Sequence, residues 1–166
     1  MPEEFEGSGG ADDFDLPPPF FPYEDRPERG HGSYGEAVEV EIEGVYAAEG
    51  TNSSRFILLS DGERKLPIII GAFEATAILL PLERSRPDRP ATHDLLKSII
   101  ERLGASVTKV VIDDLWNTTY YAKIYIKKGK EEIEIDARPS DSMALAVRFE
   151  APIFVAEGIL NQATEE

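Results

Sequence analysis

Ser106-Val-Thr-Lys-Val-Val-Ile-Asp-Asp-Leu-Trp116, Tyr120-Tyr-Ala-Lys-Ile-Tyr-Ile-Lys127 and Glu131-Glu-Ile-Glu-Ile-Asp-Ala137 are separated only by Asn117-Thr118-Thr119 and Lys128-Gly129-Lys130. In the second run Ala122, Ile124 and Ile126 face one way. In the third, Ile133 and Ile135 alternate with Glu132, Glu134 and Asp136. That period of two marks half-buried strands, and connections this short join antiparallel neighbours. Residues 106–137 are therefore expected to form three consecutive antiparallel strands.

Downstream, Ser140 is expected to open a helix near 140–149, followed after Pro152 by a short Ile153-Phe154-Val155 strand and a last turn of helix. Upstream, Thr92 is expected to cap a helix near 92–103. Leu95, Leu96, Ile99, Ile100 and Leu103 form its apolar stripe, and Gly104 stops it. The charged segment Glu83–Pro90, with its prolines, reads as a loop. Before it, residues 72–80 form a helix that is apolar nearly all round, limited by Pro81 and expected in the core or at a subunit contact. Strands near 38–70 complete the pattern. Val38, Val40, Ile42 and Val45 alternate with Glu39, Glu41 and Glu43, while Phe56–Ser60 and Leu66–Ile70 are joined through Asp61-Gly62. Pro67 lacks an N–H and places the third of these strands at an edge or near its start. Strands and helices come in blocks, so the class is α+β, a single domain with largely antiparallel sheet packed by helices.

Residues 1–35 differ in kind. Gly7-Ser-Gly-Gly10, Pro17-Pro-Pro19 and six carboxylates among Glu3, Glu4, Glu6, Asp12, Asp13 and Asp15 read as a disordered acidic Pro/Gly-rich arm, with the domain at 36–166. Its Leu16-Pro-Pro-Pro-Phe-Phe-Pro stretch suits a polyproline II strand docking on a protein partner, against the plainer reading of a solubilising tail.

The 166 residues suffice for one sizeable core, and their net charge is -15. With no cysteine, disulfides and thiolate chemistry are excluded. No run has the length and apolarity of a membrane span, and the expectation is a cytoplasmic protein. No glycine-rich phosphate loop, nucleophile elbow or zinc spacing is present, and nothing points to an organic cofactor.

Two stretches repeat one local grammar: Arg89-Pro-Ala-Thr-His-Asp-Leu-Leu96 and Asp136-Ala-Arg-Pro-Ser-Asp-Ser-Met143. Each sets Arg-Pro before a Thr or Ser, an Asp and an apolar helical run. A helix start offers orphan N–H groups and partial positive charge, to which arginine adds a full charge, a combination suited to an anion. The same corners, with their Asp residues and His93, suit metal binding or proton transfer. Their plainer reading is local: Thr92 and Ser140 as N-caps, Asp94 and Asp141 in first turns favoured by the helix dipole, Arg138 pairing with Asp141 or Asp136.

Leu66-Pro-Ile-Ile-Ile-Gly-Ala-Phe-Glu-Ala75, together with the two Arg-Pro blocks in that order, resembles the bifunctional nuclease domain family of bacteria and plants, from about Val38 to Gln162. The resemblance implies an α+β fold and DNase and RNase activity. Hydrolysing a phosphodiester needs an activated water, neutralised phosphate charge and help for the leaving oxygen. On that basis His93, Asp94, Arg138 and Asp141 are the expected catalytic residues: His93 as general base and Arg138 clamping phosphate. Asp94, Asp136 and Asp141 are the expected ligands of Mg²⁺ or Mn²⁺. Arg89 and the Asp113-Asp114 pair are second choices, and nucleic acid is the expected partner. The alternative is a non-catalytic binding or regulatory module that self-associates, as a dimer, through the 72–80 helix and recognises a protein or small anionic ligand. The acidic balance favours this alternative, because it repels polynucleotides at a distance. Convergence of Arg89, His93, Asp94, Arg138 and Asp141 in one cleft separates the two.

Overall fold

The computed structural model describes residues 34–47 and 54–165, so the expected arm lies, but for its last two residues, outside the described residues. The strands are β1 (Ala37–Ala47), β2 (Ser54–Ser60), β3 (Lys65–Gly71), β4 (Ser106–Trp116), β5 (Thr119–Lys128), β6 (Glu131–Ala137) and β7 (Ile153–Ala156). The helices are α1 (Ala72–Leu82), α2 (Thr92–Arg102), α3 (Pro139–Phe149) and α4 (Glu157–Glu165). The expected α+β class holds.

The strands form one seven-stranded sheet in the order β3-β2-β1-β7-β4-β5-β6. Both expected three-stranded blocks are present, each antiparallel throughout. Strand β7 joins them. It lies antiparallel to β1 and parallel to β4, with Val110, Val111 and Ile112 opposite Ile153, Phe154 and Val155. Four residues of mostly apolar character, buried at Ile153, Val155 and Ala156, suit a strand with neighbours on both sides.

Local irregularities follow from the residues. In β1 a bulge between Ile42 and Gly44 shifts the alternation by one, bringing Val45 to the side of Val38, Val40 and Ile42. Pro67 sits in β3, an edge of the sheet, as its missing N–H requires. Between β2 and β3, Asp61 Oδ1 accepts the N–H groups of Arg64 and Glu63 at 2.7 and 3.0 Å, which lowers its pKa to about 2. The loop therefore spans Asp61 to Arg64 and closes around the aspartate.

Helix α3 is the centre of the packing, lying against α1, α2, β4 and β5. Met143, Ala144 and Ala146 are fully buried, as is Ser142, whose Oγ donates to the Arg138 carbonyl at 2.9 Å. Beyond β7 the chain forms more than the expected last turn. Helix α4 runs for nine residues because Ile159 and Leu160 find buried places against the sheet.

Two helices are less covered than their composition implies. In α1 only Ala75 and Ile78 are buried, and Phe73 is 89 % exposed. In α2 no residue is fully buried, and Leu95, Leu96, Ile99 and Leu103 of the apolar stripe face outward. Ile100 alone of the stripe packs against the core, and polar and charged side chains attach α2 to α3: His93, Asp94, and Lys97 with its ammonium 4.9 Å from the Phe149 ring centroid. No helix among the described residues is long and apolar enough to cross a membrane.

Candidate active site

The two Arg-Pro helix starts differ from the expected capping. Helix α3 begins at Pro139, with Arg138 as its extended cap residue, and α2 begins at Thr92, with Ala91 as cap. Thr92 and Ser140 are therefore inside their helices. Proline disfavours the helical region for the residue before it and is itself suited to the first helical position, which moves the cap of α3 back to Arg138. At α2 the alanine cap has no side-chain acceptor. Asp94 reaches back instead and accepts the Ala91 N–H at 2.9 Å, the return half of a capping box.

These starts bring His93, Arg138 and Asp141 together. Arg138 donates through Nε to Asp141 Oδ2 at 2.7 Å and through Nη2 to Oδ1 at 3.2 Å, a forked pair. His93 Nε2 lies 3.0 Å from the same Oδ1. Arg138 Nη1 also reaches Glu74 Oε1, in the first turn of α1, at 3.4 Å. Since an ionised carboxylate only accepts, Nε2 of His93 carries the hydrogen. In the neutral ring Nδ1 then holds the lone pair.

Asp94 belongs to a neighbouring arrangement. Its Oδ1 accepts Arg148 Nε at 2.7 Å, while Arg148 Nη1 donates to the carbonyls of Ala77 and Ala144 at 2.6 and 2.8 Å. The Arg148 side chain is 4 % exposed and ties α1, α2 and α3 at one point.

Burial of both aspartates raises their pKa, but the opposing interactions prevail and hold them below the ordinary carboxylate range. For Asp141 these are the hydrogen bonds and charges of Arg138 and His93. For Asp94 they are Arg148, the Ala91 N–H and the His93 charge. The Arg138 guanidinium is raised in turn, chiefly by its hydrogen bond to Asp141. Both carboxylates are thus ionised acceptors at neutral pH.

The third expected metal ligand lies elsewhere. Asp136 is exposed on β6, in register with Lys123 of β5. Among the described residues no group of three or more His, Asp or Glu side chains is arranged to hold a metal ion. Asp94, Asp136 and Asp141 accordingly do not form a common donor set. Arg89 is exposed in the loop before α2.

Asp113 and Asp114 lie inside β4, where Asp113 occupies a bulge. Lys123 lies 3.3 Å from Asp113 and 3.5 Å from Glu134. Nearby, burial and the Glu134 carboxylate push the Tyr125 phenol up to about 12. A raised folded pKa means that its stabilisation is complete below the unfolded value of about 10 and declines as pH rises through 12. In an alkaline absorbance titration one tyrosine is expected to ionise near pH 12, and Tyr125→Phe should remove that step.

Two members of these arrangements, Glu74 and Arg148, were absent from the sequence-derived set. Glu74 carried no mark in the sequence beyond its place in a first helical turn. Arg148 follows Asp141 by seven residues and Ala144 by four, on one face of α3.

Beside Arg138 lies a cleft of about 480 Å³ lined by Ile69, Gly71 and Glu74 together with Thr118, Thr119 and Tyr120. These segments belong to β3 and α1 and to the β4–β5 turn, far apart in strand order. The sheet must therefore curl to bring them across from one another.

With this geometry in place, comparison with known proteins gives the family. Residues 57–166 match the model of the bifunctional nuclease domain. An uncharacterized protein of Mycobacterium tuberculosis is 41% identical over 126 residues, covering 75% of each chain. Bifunctional nuclease 1 of Oryza sativa subsp. indica is 36% identical over 93 residues, 54% of this chain and 28% of the rice protein. Bifunctional nuclease 2 of Arabidopsis thaliana is 27% identical over 93 residues, again 54% of this chain and 28% of the relative. The matched region contains every strand after β2, both Arg-Pro helix starts and the His93–Asp141–Arg138 contact, and the chain belongs to the bifunctional nuclease domain family.

Proposed function

We propose that this protein hydrolyses phosphodiester bonds in nucleic acid, with His93 as general base, Asp141 as the residue that positions it, and Arg138 as the phosphate contact. The observation that carries the reading is the sharing of one carboxylate: His93 Nε2 and the Arg138 guanidinium both meet Asp141, from two helix starts. The names of the plant relatives support the reaction class.

In this mechanism water gives a proton to His93 Nδ1 as its oxygen attacks phosphorus. Asp141 stabilises the resulting imidazolium, while Arg138 balances charge gathering on the phosphate oxygens. The bond to the leaving oxygen then breaks, and that oxygen takes a proton from the imidazolium. Asp94 acts at a distance, by setting α2 against Arg148. The Mg²⁺ or Mn²⁺ requirement remains part of the proposal as a measurable quantity, since such ions are often held by one or two carboxylates together with substrate phosphate.

The test is cleavage of RNA and of DNA by purified protein, with chelator, with added Mg²⁺ or Mn²⁺, and with His93→Ala. Loss of general-base catalysis is expected to slow turnover by about 10²–10⁴-fold. Activity that survives both chelation and His93→Ala would sink the assignment. A binding module without turnover is the second reading. It is favoured by the pairing of Asp94 and Asp141 with arginines, and it predicts ligand binding with no cleavage under any of these conditions.

A further inference from the structure

We infer that β6 is a docking edge for a protein partner, which adds to the open side of the sheet an extended segment alternating apolar residues with lysine or arginine.

A sheet edge carries unpaired backbone N–H and C=O groups, which proteins either block or use to bind an added strand. The two edges of this sheet differ. On β3, Pro67 removes one donor and α4 lies against the strand. Strand β6 has no proline. It pairs with β5 from Glu131 opposite Lys128 to Ala137 opposite Ala122 without a bulge, and every residue in it except Ala137 is exposed. Its outer side therefore offers a regular row of backbone groups.

The two faces of β6 select the strand that fits. On one face Ile133 and Ile135 stand in register with Ile126 and Ile124. Those β5 residues are buried, whereas Ile133 and Ile135 are 39 % and 43 % exposed, an apolar row left half covered at the edge. On the other face Glu132, Glu134 and Asp136 stand in register with Lys127, Tyr125 and Lys123, and Lys123 Nζ lies 3.5 Å from Glu134 Oε2. Strand β5 is thus the pattern of a neighbour that β6 accepts: apolar residues beside its isoleucines, lysines beside its carboxylates. A strand on the free side meets the same two faces. Opposite charges across strands stabilise such a pair and like charges oppose it.

A second copy of the chain fits poorly. Any antiparallel pairing of two β6 strands that sets isoleucine opposite isoleucine also sets carboxylate opposite carboxylate, as Glu132 with Asp136. Each copy also brings a net charge of -15. The carboxylates that turn away a second copy attract a basic strand, which commits the edge to a different protein. Ala137 ends β6 and Arg138 follows it, so a segment paired along the strand brings its protein to the candidate site.

The experiment titrates the full-length protein with a short blocked peptide alternating valine and lysine, and follows backbone hydrogen exchange. Binding is expected to slow exchange in β6, and to be roughly tenfold tighter than for a peptide of the same composition with its lysines in one block. Methylating alternate backbone nitrogens of the peptide should abolish it. Glu132→Lys combined with Glu134→Lys should weaken binding by roughly tenfold, and the milder Glu132→Gln with Glu134→Gln by less, with circular dichroism checking that each variant folds. Equal binding of the alternating and block peptides, protection confined to other strands, or no binding at all would overturn the inference. Protection of β6 that grows with protein concentration in the absence of peptide would also overturn it, by assigning the edge to self-association.

Discussion

Asp94→Ala is expected to destabilise the fold by about 3 kcal/mol, the low end of the range for removing one partner of a buried ion pair, because Asp94 is itself partly exposed. Arg148 would keep its bonds to the Ala77 and Ala144 carbonyls but lose its counter-ion at 4 % exposure, and a buried unpaired cation is costly. Arg148→Met should cost less. It removes the charge while keeping most of the packing volume, and it leaves Asp94, 34 % exposed, able to rehydrate and still bound to the Ala91 N–H. Urea unfolding followed by circular dichroism measures both. The acid limb provides an independent check. Because the folded pKa of Asp94 and Asp141 lies below the ordinary value, their stabilisation is complete above about pH 4 and is lost as pH falls through the lowered values. Asp94→Ala should flatten that limb. A variant within about 1 kcal/mol of the parent, where most surface changes fall, would show that Arg148 does not need this partner.

Asp141→Asn is expected to lower kcat by about 10³–10⁴-fold, the scale seen when a histidine base is forced into the wrong tautomer. An amide that turns its NH₂ to His93 makes Nε2 the acceptor and moves the hydrogen to Nδ1, where the base must be free. It also releases Arg138, whose forked pair needs two carboxylate oxygens. Kinetics per folded molecule, together with the pH–rate profile, separate this from simple destabilisation. Asp141→Asn combined with His93→Ala should be little worse than either alone. Additive losses would mean that the two residues do not act as a unit.

Much of the fold is legible in the chain because strands and helices are local events. Alternation at Ile133 and Ile135, the Asn117-Thr118 turn and the prolines at 67 and 139 act over a few residues, and the elements they imply are present. Burial was harder to read at α2, where an apolar stripe is ordinarily the inward face. His93 and Asp94 reverse that rule, because charged and hydrogen-bonding partners on α3 outweigh the stripe as the anchor. The candidate site was half legible. His93, Arg138 and Asp141 stand out by residue type at helix starts, but their meeting depends on residues 48 positions apart in the chain. Glu74 and Arg148 carried only weak local marks, and Asp136 looked like a third ligand because it is near Arg138 in sequence.

By itself, then, the sequence determined the α+β class, the two antiparallel blocks and the family, since these reside in periodicity, turn chemistry and short motifs. Only the tertiary structure decided that β7 joins the blocks beside β4, that Asp141 rather than Asp94 holds His93, and that Ile69 and Tyr120 line one cleft with Arg138. The physical reason is range: propensity and patterning act within a few residues. Which side chains finally meet is decided by how α1, α2 and α3 satisfy a buried arginine and two ionised carboxylates at once.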